Sequence, residues 1–60
     1  MDTMYLTLIK TCKDMIKSNT EIIHKYESGE DIPEELYLMA KESLPKWKEQ
    51  LNTIETQWPS

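Results

Sequence analysis

The apolar positions of this chain fall into two periodic runs joined by a short polar stretch. In the first, Tyr5, Leu8, Cys12, Met15, Asn19, Ile22 and Tyr26 recur at alternating steps of three and four, and Ile9, Ile16 and Ile23 widen the stripe along one side. That spacing predicts an amphipathic helix with a broad buried face over about residues 3–28. Gly29 supplies the residue type that best tolerates the left-handed conformation ending many helices. In the second run, Tyr37, Ala40, Leu44, Trp47, Leu51, Ile54 and Trp58 repeat the three-four alternation over three heptads. This predicts a second helix over about 33–57. Its start is signalled by Asp31 as N-cap, Glu34 three residues on as the partner in a capping box, and Pro33 in the first turn.

Two residues disturb these runs. Asn19 stands in the middle of the first stripe, where we read it as an edge position; the alternative is a polar residue that sets register in a helix bundle. Pro45 removes a hydrogen bond to Lys41 and crowds that carbonyl, so the second helix is expected to kink or break at 43–45. A break, with Ser43 capping a restart, would give three helices. The chain reads as a single all-α domain over residues 1–60, an antiparallel helical hairpin with an acidic tip at 27–35.

Length sharpens this picture. Folding 7.1 kDa should leave about 4,000 Å² exposed and bury roughly 3,700 Å² of apolar surface, which contributes on the order of 90 kcal/mol. Ordering 60 residues costs about the same. A lone hairpin is therefore marginal, and it also carries more apolar surface than one interhelical seam needs. Leu36, Tyr37, Leu38, Met39 and Ala40 are consecutive and so encircle their helix, while Met4 and Leu6 add apolar surface at the other end. The surplus points to a protein partner or to a homo-oligomer, of which two hairpins forming a four-helix bundle is the simplest. A three-helix monomer using both surfaces itself is the competing reading. Candidate interface residues are Leu36, Tyr37, Leu38 and Met39, with Tyr26, Trp47 and Trp58 as aromatic anchors, although core packing is the default for both tryptophans.

Charge is unevenly placed. Residues 1–26 sum to +1, residues 27–35 to −5 and residues 36–60 to zero, giving the net −4. Glu27, Glu30, Asp31, Glu34 and Glu35 thus form an electrostatic tip. It is partly explained by acids meeting the positive end of a helix, and otherwise suits a basic partner. An acidic competitor of a nucleic-acid-binding protein is the second functional reading. A weak direct nucleic-acid binder using Lys10, Lys13 and Lys17 is the third, poorly served by three lysines on an acidic chain, so no nucleic acid is expected.

Candidate chemistry is sparse. Glu21 and His24 have the i, i+3 spacing of di-metal bundle ligands but lie off the apolar stripe, and Cys12 reads as a small buried hydrophobe. Cys12 and His24 are about 18 Å apart along one helix, which excludes their cooperation within one chain. A single Gly excludes a glycine-rich phosphate loop. We expect no catalytic, metal or cofactor site and hence no enzyme, but a non-enzymatic regulator, inhibitor or assembly subunit. The first residues lack a basic leader and the longest apolar run is Leu36–Ala40, so a cytoplasmic location away from membranes is expected.

Overall fold

The computed structural model describes residues 3–58. Two helices account for nearly all of them: α1 (Thr3–Glu27) and α2 (Glu34–Gln57). They pack side by side as an antiparallel hairpin with extents of 44 × 16 × 14 Å. The sequence also suggests a frayed end at 58–60: Trp58 instead donates its N–H to the Ile54 carbonyl at 3.2 Å and packs on Tyr5, while 59–60 lie outside the described residues.

The first helix ends in a Schellman motif. Gly29 adopts φ +88°, its N–H donates to the Tyr26 carbonyl at 3.1 Å, and the Glu30 N–H donates to Lys25 at 3.0 Å. These bonds satisfy carbonyls that the end of a helix would otherwise leave open. The Ser28 N–H and hydroxyl both donate to the His24 carbonyl, tightening the last turn.

The start of α2 departs from expectation. Pro33 is the N-cap, with φ −57° and ψ 135°, and no side chain caps the helix. The first helical acceptor is the Pro33 carbonyl, which receives the N–H groups of Leu36 and Tyr37. The Asp31–Glu34 capping box is therefore not formed. The residue before a proline is driven from the helical region, and Pro33 is itself extended, so the helix begins two residues too late for Asp31 to reach it. Glu34 and Glu35 still occupy the first turn, where they complement its positive end.

Pro45 does not divide the chain: α2 is helical on both sides of it, and the restart at Ser43 is not taken. The apolar seam continues in phase through the proline, so packing against α1 holds the turn despite the missing hydrogen bond.

Two aromatic pairs lock the helices. Tyr26 and Tyr37 stack at the tip, with centroids 3.9 Å apart and planes at 14°, and the Lys41 ammonium lies 5.3 Å from the Tyr37 ring centroid. At the open end Tyr5 meets Trp58 edge-on at 5.4 Å. The steps from Tyr5 to Tyr26 and from Trp58 back to Tyr37 are both three heptads, so one register holds along the whole hairpin. It sets Cys12 level with Leu51, and Asn19 level with Leu44.

Between these ends the core is thin. Cys12, Ala40 and Ile54 are the buried apolar residues among those described. Asn19 is buried too, at 7% exposure, which corrects its reading as an edge position. Its Nδ2 has no hydrogen-bond partner. Heptad spacing from Tyr5 places Asn19 squarely on the seam, and its polarity does not alter that phase. On α1 the half-buried flank is Ile9, Ile16 and Ile23, whereas Leu8 and Met15, expected on the buried stripe, are each 37% exposed at its rim.

Two substitutions test this account by thermal melting followed by circular dichroism. Gly29→Ala should cost about 1 kcal/mol through its left-handed backbone. A Cβ there would meet nothing within 4 Å, so the cost would come from backbone conformation alone and not from a clash. Pro45→Ala restores an N–H to the Lys41 carbonyl and should raise Tm, with a gain of up to about 3 kcal/mol. An unchanged Tm would show that the proline carries no net cost here.

Candidate functional site

The hairpin has two long sides flanking its seam, and they differ. One is filled by Ile9, Ile16 and Ile23 of α1, all half-buried. The other opens into a groove of about 490 Å³. Leu8, Thr11 and Cys12 line it from α1; Ser43, Trp47, Gln50 and Ile54 line it from α2. Lys46 also lines it, with a side chain 73% exposed and paired to Glu42 at 3.6 Å.

Helical geometry extends this groove into a face. At about 100° per residue, Met4, Leu8, Thr11, Met15, Ser18 and Ile22 form one strip of α1, and Leu36, Met39, Ser43, Trp47, Gln50 and Ile54 form the matching strip of α2. No charged residue occurs among them, although 30% of the chain is charged. Ile54 is buried and the other eleven are half-buried or exposed; a surface with about 25–35% charged residues would place roughly three charges among eleven such positions. Met4, Leu8, Met15, Leu36 and Met39 on this face are exposed large hydrophobics. Leu6 and Leu38 are the others and fall outside the two strips.

This arrangement sorts the candidate interface residues. Trp47 lines the groove, and Leu36 and Met39 fall on the same helical strip of α2 beyond it. Leu38 is 54% exposed on the back of α2. Tyr26, Tyr37 and Trp58 are half-buried and their rings are engaged within the hairpin. The residues missed by periodicity alone are Thr11, Ser43 and Gln50, with Leu8 and Met15 misplaced in the core. The usable signal was the absence of charge along one helical strip, which a search for apolar spacing does not weigh.

The electrostatic tip is fully solvated. Glu27, Glu30, Asp31, Glu34 and Glu35 are exposed, and no ion pair among the described residues involves them. The lysine ridge is not purely basic, because Lys10 donates to Asp14 at 2.8 Å. That hydrogen bond, aided by the attraction of the two charges, raises the Lys10 pKa above its ordinary value.

No family model, curated protein or solved structure matches this chain. What it can do must come from its own geometry. Glu21 and His24 are exposed and Cys12 is buried. Among the described residues no group of three or more His, Cys, Asp or Glu is placed to hold a metal ion, and no helix is long and apolar enough to cross a membrane.

Asn19 offers a test of how the seam is built. A buried donor without a partner costs about 1–3 kcal/mol, and leucine at this level would meet Leu44. Asn19→Leu should therefore raise Tm in a thermal melt. A lower Tm would mean that the amide is satisfied in solution and belongs to a polar network.

Proposed function

We propose that this chain is a non-enzymatic helical hairpin that works by protein–protein binding, as a regulator, inhibitor or assembly subunit, with either a second copy or another protein completing its core. The observation that carries this reading is the largely apolar face along the groove, on which Met4, Leu8, Met15, Leu36 and Met39 are exposed and Lys46 is the one charge in the groove lining. Such a face is costly to leave in water and is the usual form of a protein-binding surface. Trp47 in the groove wall and the exposed Met15 and Met39 suit it further, since a large aromatic anchors an interface and methionine adapts its shape to a partner. A bend of α2 at Pro45, an exposed position away from the groove, would curve that helix around whatever fills the face.

The test is light scattering on the purified chain together with affinity capture from its native cell. We expect an oligomer or a specific captured protein, and we expect Leu8→Glu to abolish whichever is found. A folded monomer at micromolar concentration that captures no protein would reject the proposal.

The exposed, unpaired carboxylates at the tip favour a second reading, in which the tip lures a basic nucleic-acid-binding protein and competes with its usual ligand. Converting Glu27, Glu30, Glu34 and Glu35 together to Gln should abolish such binding, and unchanged affinity would reject it.

A further inference from the structure

The groove face commits to one occupant by its size, its charge and its symmetry. The folded chain exposes 4802 Å², about 700–800 Å² more than a monomer of its mass ordinarily shows. A standard interface buries about 800 Å² per partner, so covering this one face would return the chain to the exposure of an ordinary folded protein. The face runs the length of a body 44 Å long and 16 Å wide, well beyond the reach of a small ligand in the groove.

We infer that the occupant is a second copy of this chain, packed groove face to groove face as a two-fold symmetric four-helix bundle. This inference rests on the protein-binding reading above and names its partner. The one charge in the groove lining, Lys46, is already paired with Glu42 at the solvent edge, so two copies of this face can meet without burying an unpaired charge, a condition that a partner with an ordinary charged surface would not meet. Small side chains at Thr11 and Ser43 let the helices approach. The register set by the two aromatic pairs brings Met15 and Trp47 to nearly the same level, halfway along the hairpin, so they stand next to the two-fold axis. The acidic tips fix the relative direction of the copies. With tips at one end, two −5 clusters would face each other; with tips at opposite ends they are separated by several Debye lengths. The axis therefore crosses the hairpins and each tip projects from its own end.

Sedimentation equilibrium on the full chain tests this. The mass should be twice 7.1 kDa at tens of micromolar. Met15→Glu places a carboxylate from each copy beside the axis and should weaken the dimer at least about a hundredfold. Leu38→Glu, on the back of α2, should leave the dissociation constant within about threefold. The reverse pattern would overturn the assignment of the face. Should Met15→Glu unfold the chain, the wild-type melt decides: Tm must rise with chain concentration if a dimer forms on folding, and a concentration-independent Tm overturns the inference. A folded wild-type monomer that binds a different protein through Leu8 rejects the second copy while leaving the protein-binding function standing.

Discussion

The register between the helices is the constraint on which the rest depends. Tyr5 against Trp58 and Tyr26 against Tyr37 fasten the two ends of the hairpin three heptads apart. Aromatic pairs are suited to this, because each buries a large area and adds about 0.5–1.5 kcal/mol from ring geometry. Once both ends are fastened, every level between them is determined. Cys12 and Asn19 are the two residues of the same heptad position between Tyr5 and Tyr26, and both are buried because the register leaves them nowhere else to point. Their small size lets the helices stay close, but it also leaves the seam with little apolar mass.

That shortage makes the hairpin one-sided. Ile9, Ile16 and Ile23 close one flank of the seam with branched side chains that are stiff in a helix. The opposite flank offers Leu8, Thr11 and Met15 against Ser43, Trp47 and Gln50, and the groove remains open. The same asymmetry governs charge. Acids and lysines occupy the backs of the helices and the tip, and the single charge lining the groove, Lys46, points outward to Glu42. This side of the molecule is underfilled, and its one lining charge is already paired at the edge.

Much of this was legible in the sequence. All seven apolar positions assigned to the α2 seam are buried or half-buried, because a strict heptad repeat over three turns of the pattern admits one phase. The two-helix layout followed from Gly29 and from the break in periodicity after Tyr26. The α1 face was less legible. Leu8 with Met15 and Ile9 with Ile16 give almost the same periodicity, and only the position of α2 decides which pair turns inward. The capping box failed for a local reason, since a proline between the proposed cap and the helix fixes its own backbone and shifts the start. Asn19 was misread because hydropathy ranks it with surface residues, whereas its place is set by Tyr5 and Tyr26, each two helical turns or a little less from the nearest neighbour in the same column. The surplus surface was anticipated, and Leu36, Leu38 and Met39 are all exposed, but the run circles its helix, so Leu38 falls on the back while Tyr37 turns inward to stack on Tyr26.

Three features of the chain work against its own stability, and their combined size bears on what the fold is for. A proline inside a helix costs about 3 kcal/mol, an unpartnered buried amide about 1–3 kcal/mol, and a helix start without a side-chain cap about 1 kcal/mol relative to Ser or Asp. A domain of this length ordinarily has only roughly 3–9 kcal/mol of net stability. The three costs together approach that whole margin, in a hairpin whose buried apolar residues are Cys12, Ala40 and Ile54. Burial of the groove face is the one large favourable contribution that the isolated hairpin does not use. At about 25 cal/mol per Å², even half of a standard interface area per chain being apolar would contribute on the order of 10 kcal/mol, more than the three costs combined before the entropy of association is subtracted. In the proposed dimer, folding and association would therefore be coupled, with the seam fixing the shape of the face and the face supplying stability that the seam lacks.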